Sequence, residues 1–197
     1  MQVRPRINIL NQAYRELMFK QLTAEDIVVL AIDPGTHIMG WAVYKPDELV
    51  EYGGIEVRAE SEISRLAFLA TEFDGLIKKY NPNVVAIEQY FTRSGQAPTA
   101  VPKLIGYLLI SSFRYGVVPI EINALHARKL ALDKGYVRKE DAHEAFSKTK
   151  YYNKDITCPD ALDAAILAIG GYKEHQQMRK ECLSGSAASS KKVAQKQ

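Results

Sequence analysis

The sequence predicts a mixed α/β domain in which helices cover a central sheet. Three features of the 197-residue chain indicate this fold class: three consecutive strand patterns, alternating helix and strand patterns after them, and two continuous apolar strands of the kind that helices bury on both faces. Apolar residues make up 47% of the chain and charged residues 25%. This globular composition excludes a mainly disordered chain, a collagen-like fibre and a coiled coil.

The first three strands follow one another through short turns. Residues 27–32 form a continuous apolar run, and the turn residues 33–35 end it. Residues 39–44 and 49–57 are the next two strand patterns, with a proline-containing turn between them. Short connections between consecutive strands predict an antiparallel meander.

Helices and strands alternate through the rest of the domain. Apolar residues recur with a 3.6-residue period from Ile63, and Asn81-Pro82 ends that helix. A second buried strand follows, and the final helix opens at Pro159. In chain order the predicted elements are helix 63–80, strand 83–88, helix 101–115, strand 117–122, helices 124–132 and 139–149, and a last helix from 159 to about 169.

The chain divides into three segments. Residues 1–26 form a predicted N-terminal helical extension with apolar residues on one face, and an organellar presequence is the alternative that their acidic residues disfavour. Residues 27–172 form the α/β domain. Residues 173–197 hold six basic and two acidic groups, and from Leu183 onward they lack the apolar mass to fold. They are therefore predicted to form a basic, disordered tail.

Compartment and partners are constrained by composition. No stretch reaches the roughly 18 consecutive apolar residues of a membrane span, and no secretory signal pattern is present. The two cysteines, Cys158 and Cys182, lack metal-ligand spacing, which favours a reducing compartment such as the cytoplasm. Residues 27–90 hold 5 basic and 10 acidic groups, whereas residues 91–154 hold 11 and 5. This asymmetry indicates a polyanionic partner, unless folding mixes the two halves into a neutral surface.

Four carboxylates stand in apolar surroundings. Asp33 ends one buried strand and Glu88 ends another, while Asp160 and Asp163 lie in the first turns of an apolar helix. Each has an ordinary explanation, such as shaping a turn or favouring a helix N-terminus. If the two strands are adjacent and parallel, however, both acids emerge at the same edge, and a helix across that edge completes a cluster of four. Such a cluster repels itself unless divalent cations bind, and all-oxygen ligation suits Mg²⁺ or Mn²⁺.

Three segments resemble the motifs of a known family. Residues 32–43 (IDPGTHIMGWAV), 86–91 (AIEQYF) and 159–169 (PDALDAAILAI) resemble, in order and spacing, those of RuvC, the bacterial Holliday junction resolvase. The resemblance implies an RNase H-like fold with a five-stranded mixed sheet flanked by helices on both sides. It also implies a homodimer that resolves four-way DNA junctions by paired symmetric nicks. The reaction would be two-metal-ion phosphodiester hydrolysis leaving 5′-phosphate ends.

The resemblance also implies site residues. Asp33, Glu88, Asp160 and Asp163 would be the catalytic, metal-binding acids, holding two Mg²⁺ ions for which Mn²⁺ can substitute. Phe91 falls where the family places an aromatic residue at the junction, although it could instead belong to the core. Basic and aromatic residues after Glu88 are candidate DNA contacts, with a solvated helix face as the alternative for each lysine. His143 is expected to be a surface histidine, and a role in catalysis or phosphate contact is the alternative. The predicted DNA contacts are Tyr90, Phe91, Arg93, Lys103, Arg128, Lys129, Lys134, Arg138 and Lys139.

Several other functions fit part of the pattern. The chain departs from bacterial RuvC in residues 1–26, in its basic tail and in the loosely matching segment 92–116, as a bacteriophage or divergent branch would. A broader nuclease for branched DNA, another RNase H-like nuclease and a non-catalytic junction-binding protein therefore remain alternatives. Sugar-kinase-like and actin-like ATPases share the sequence 33–36, but they need two such domains and a second glycine-rich phosphate loop.

Overall fold

The computed structural model describes residues 27–91, 99–136 and 138–194, with side chains as far as Glu181. The predicted extension 1–26 and the candidate DNA contact Arg93 lie outside the described residues. The elements are β1 (Val29–Asp33), β2 (Ile38–Lys45), β3 (Glu48–Glu56), α1 (Glu62–Tyr80), β4 (Val84–Glu88), α2 (Ala100–Arg114), β5 (Val118–Ile122), α3 (Ala124–Leu132), α4 (Lys139–Ser147) and α5 (Pro159–Ala194).

The five strands form one mixed sheet in the order β3-β2-β1-β4-β5. The first three strands pair antiparallel, as their short connections predicted. Strand β4 pairs parallel with both β1 and β5. In the β1–β4 register Ile32 lies opposite Ile87, so the next residue of each strand emerges at the same edge.

Alternate residues of the central strands enter two separate cores. On one face Val29 and Ala31 pack with the apolar residues of α3, α4 and α5. On the other face Leu30 and Ile32 pack with those of α1 and α2. Both faces of the sheet are therefore covered, and the predicted fold class is confirmed.

Helix α5 is longer than the sequence predicted. It was expected to end near Ile169, before a glycine pair, but it continues through Ala194, where a disordered tail was predicted. The pair serves close packing, because a Cβ on Gly170 would lie 2.7 Å from the Ala127 carbonyl oxygen and one on Gly171 2.7 Å from the Ala86 Cβ. The polar residues that follow are mostly good helix formers, which explains the continuation. None of the helices in the described ranges is long and apolar enough to span a membrane.

Candidate active site

Strands β1 and β4 place two carboxylates side by side at one edge of the sheet. Asp33 is the last residue of β1 and Glu88 the last residue of β4. The Asp33 side chain is 14% exposed, and its Oδ2 atom is buried with no hydrogen-bond partner among the described residues. A buried carboxylate oxygen without a donor is costly, so this position favours a cation.

The first turns of α5 bring the other two acids to the same edge. Asp160 is half-buried, and the side chain of Asp163 is only 4% exposed. This approach depends on Gly40, which lies opposite Asp33 in the β1–β2 register. A Cβ on Gly40 would lie 2.1 Å from the carbonyl oxygen of Asp160, so only glycine lets the helix approach β2 this closely.

We expect Gly40→Ala to lower the free energy of unfolding by about 1–3 kcal/mol, because the added methyl group must push α5 away from the sheet. Chemical denaturation measures this change. The matched control is Gly75→Ala in α1, where an added Cβ meets nothing within 4 Å. An equal effect of the two substitutions would contradict the proposed role of Gly40.

Three basic side chains surround the Asp163 carboxylate. Lys139 donates to its Oδ2 atom at 2.6 Å, and His143 Nε2 lies 3.2 Å from its Oδ1 atom. Arg128 approaches the same Oδ1 atom at 3.7 Å and also donates to the Tyr136 carbonyl oxygen. Lys139 and His143 are four residues apart, so they share one face of α4 and reach the acid together.

The charge balance differs among the acids. Burial raises the pKa of Asp33 to about 8, the negative charge of Glu88 contributes to this rise, and Lys139 opposes both. Burial and the Asp163 carboxylate likewise raise the pKa of Glu88, although Lys139 lowers it. Burial would raise the pKa of Asp163 too, but hydrogen bonds from His143 and Lys139 lower it below its ordinary value. Asp33 and Glu88 are therefore the acids whose ionised forms the surrounding residues stabilise least.

The donor set fits a divalent cation. Among the residues that the structure describes, no three carboxylate, histidine or cysteine side chains form a ready-made metal centre. Nevertheless the acids offer only oxygen ligands, Asp33 Oδ2 lacks a partner, and the Lys139 ammonium already stands between the acids, 2.6 Å from Asp163 Oδ2 and 4.0 Å from Asp33 Oδ2. A hard cation such as Mg²⁺ suits this arrangement.

The acidic edge opens into a cleft of about 700 Å³. Asp33, Glu88, Arg128 and Lys139 line the cleft together with a mainly apolar wall. Phe91 belongs to that wall and is 64% exposed, which excludes the core position considered for it. The other wall residues are Pro34, Gln89, Tyr90, Val101, Asn123, Ala124 and Leu125. A charged floor beside an exposed aromatic ring can accommodate a phosphodiester and an unstacked base.

The predicted DNA contacts are distributed unevenly. Tyr90 packs partly against the core but also lines the cleft. Arg128, a predicted DNA contact, lines the cleft but is only 6% exposed and acts as a counter-charge to Asp163. Four other predicted DNA contacts do not line the cleft. Lys103 pairs with Glu62, Arg138 pairs with Asp141, Lys134 lies over the Tyr136 ring, and Lys129 lines a separate groove.

His143 lies in the site although it is not among the site residues predicted from the sequence. It was expected to be a surface histidine, whereas its side chain is 18% exposed and contacts Asp163. The spacing of four residues from Lys139 was the available signal. That spacing identifies a shared helix face, but only the packing of α4 on α5 shows which residue the face contacts.

The fold and the acidic edge define an RNase H-like α/β domain with carboxylates at the ends of adjacent parallel strands. The family model "Crossover junction endodeoxyribonuclease RuvC" matches residues 29–170. The chain is 30% identical over 155 residues to RuvC of Rickettsia typhi, covering 72% of this chain and 94% of that protein. It is 30% identical over 146 residues to RuvC of Roseiflexus sp., covering 71% and 87%.

A solved structure shows the same fold. "T. thermophilus RuvC in complex with Holliday junction substrate" matches with a TM-score of 0.67 and 19% identity, covering 78% of this chain and 97% of that one. The chain belongs to the RuvC family of crossover junction endodeoxyribonucleases.

Proposed function

We propose that this protein is a structure-selective endonuclease that resolves four-way DNA junctions by divalent-metal-dependent phosphodiester hydrolysis. The observation that carries the proposal is the convergence of Asp33, Glu88, Asp160 and Asp163 from three elements beside a cleft with an exposed Phe91. Membership of the RuvC family, and the complex that Thermus thermophilus RuvC forms with a Holliday junction, support four-way junctions as the substrate.

The four acids would hold two Mg²⁺ ions, or Mn²⁺ in their place. When bound, such ions supply an activated water and stabilise charge on the attacking and leaving oxygens. The ionised forms of Asp33 and Glu88, which the surrounding residues stabilise least, would gain most from a bound cation. His143 and Arg128 hold the Asp163 carboxylate in place from α4 and α3. Hydrolysis would leave 5′-phosphate and 3′-hydroxyl ends.

Lys139 has two roles in this proposal. In the metal-free protein its ammonium neutralises Asp163, and half of its side chain is exposed to the cleft. When other cations neutralise the acids, the flexible lysine is free to turn toward a DNA phosphate, which it binds as a point charge. Lys139 is therefore still proposed to contact DNA, in the metal-bound protein.

We also propose that the protein acts as a homodimer in the cytoplasm of a bacterial cell or phage-infected host. Paired nicks on opposite strands require two sets of acids, and one chain supplies one set at the β1–β4 edge. A C2 dimer presents two equivalent sites, which matches the twofold symmetry of a four-way junction.

The proposal is tested with an end-labelled synthetic four-way junction, Mg²⁺ and the full-length protein. We expect nicks at symmetric positions on two opposite strands, and none with the matched variant Asp163→Asn. Junction binding without nicks by the unaltered protein would instead indicate a non-catalytic junction-binding protein. Equal cleavage of flaps, forks and junctions would indicate a general debranching nuclease on the same fold, and cleavage of RNA–DNA hybrids alone would indicate a different RNase H-like nuclease.

Phe91→Ala should lower the rate of junction cleavage about 10-fold or more without changing thermal stability, because base stacking on an aromatic ring contributes about 1–3 kcal/mol. The measurements are single-turnover cleavage and thermal unfolding. Ile63→Ala, which removes an 80% exposed apolar side chain from α1, is the control. A Phe91 variant that cleaves normally would contradict the stacking role. A variant that unfolds would indicate that Phe91 packs in the core instead.

A further inference from the structure

A basic groove lies between α3 and α5, separate from the acidic cleft. It encloses about 420 Å³ and shares no lining residue with the cleft that contains Asp33 and Glu88. Three lysines line it against one aspartate. The lining consists of Lys129, Leu130 and Asp133 from α3 and its end, and Lys173, Gln176, Gln177 and Lys180 from α5.

The chemistry of this groove suits a phosphate backbone. Lysine ammonium groups and glutamine amides are hydrogen-bond donors to phosphate oxygens, and the lining has a single apolar side chain, Leu130. Asp133 lies 3.6 Å from Lys173, but its side chain is 92% exposed, so the pair is weak and a phosphate can replace it. The neighbouring acid Glu174 is already paired with His126 at 2.9 Å.

The groove and the active site draw residues from the same two helices. Arg128 and Lys129 are consecutive in α3, and the first contacts Asp163 while the second lines the groove. Along α5, Lys173 and Lys180 follow Asp163 by 10 and 17 residues, which is about 15 and 26 Å at 1.5 Å per residue. With 3.4 Å per base pair, these distances correspond to about 4–8 base pairs of duplex.

We propose that this groove binds the phosphate backbone of a duplex arm that leaves the junction held at the active site. The inference rests on the proposed function and extends it by a second DNA-binding surface. The RuvC family match ends at residue 170, so Lys173 and Lys180 belong to the part of α5 beyond it. The sequence predicted that Lys129 contacts DNA. In the groove it lies with Lys173 and Lys180, two lysines of the predicted C-terminal tail.

The test compares full-length Lys173→Ala/Lys180→Ala with the control Lys45→Ala/Lys154→Ala, which removes two exposed lysines outside the groove. Alanine preserves α5 because it has the highest helix propensity. On a four-way junction with arms of about 15 base pairs, we expect roughly 10-fold weaker binding and a salt-dependence slope smaller by about 1–2. The control should match the unaltered protein, and single-turnover cleavage at saturating protein should be unchanged.

A junction with hairpin-capped arms of about 4 base pairs provides the second measurement, because such arms end before most of the groove. There we expect the two double variants to bind equally. An unchanged slope on long arms, an equal loss in the control, or a full loss on short arms would each overturn the inference. When one of these outcomes occurs and the unaltered protein still cleaves four-way junctions, only the inference about the groove is overturned. When the unaltered protein binds no branched DNA, the proposed function is overturned as well.

Discussion

Replacing Asp33 with asparagine, or Glu88 with glutamine, is expected to lower junction cleavage by about a thousandfold, equivalent to about 4 kcal/mol of transition-state stabilisation. Each substitution keeps the size of the side chain but removes the negative charge proposed to hold the divalent cations. Junction affinity should stay within a fewfold, because phosphate contacts and stacking supply it. Single-turnover cleavage and equilibrium binding on the same labelled junction measure the two effects.

Glu48→Gln provides the matched control for this prediction. Glu48 is an exposed carboxylate at the start of β3, at the opposite end of the sheet from the acids. Its loss changes the net charge by the same amount without touching the cleft. Cleavage near the normal rate by the Asp33 or Glu88 variant would refute the proposed carboxylate site.

In the metal-free protein, the same Asp33→Asn substitution should stabilise the fold, and the gain should grow with pH. Asp33 has a pKa of about 8 in the folded chain against an ordinary value of 3.8, mainly because of burial. Between these values the folded state holds a proton that the unfolded state releases, so Asp33 costs increasing stability as pH rises. We expect a gain of about 1–3 kcal/mol at pH 8, and little gain at pH 4.

Urea denaturation with a chelator present, at pH 4, 6 and 8, measures this gain. The control is Asp155→Asn, which alters an exposed aspartate in the loop before α5. Adding Mg²⁺ at pH 8 should stabilise the unaltered protein more than the Asp33→Asn variant, because binding to the folded state adds stability by mass action. If the variant is less stable than the unaltered protein at pH 8, the conclusion that ionised Asp33 destabilises the metal-free fold is wrong.

The sequence predicted the sheet closely because its signals are local. Apolar runs and turn residues identified each strand to within about two residues, and short connections identified the antiparallel pairs. The parallel pairing of β1 and β4 was stated only as a condition, and the register of Ile32 with Ile87 satisfies it. The predicted end of α5 was wrong. A glycine pair usually favours the end of a helix, whereas here the pair allows α5 to pack closely against Ala127 and Ala86.

The sequence by itself determined which residue types could form the acidic site: two acids that end buried strands, and two more at i, i+3 on one helix face. Only the tertiary structure decided their surroundings. It turned Arg128 and His143 toward Asp163, left Asp33 Oδ2 without a donor among the described residues, and moved Lys129 into a groove with Lys173. The reason is that periodicity fixes which face of one helix a residue occupies. What that face contacts depends on how α3, α4 and α5 pack together, and no single helix encodes that packing.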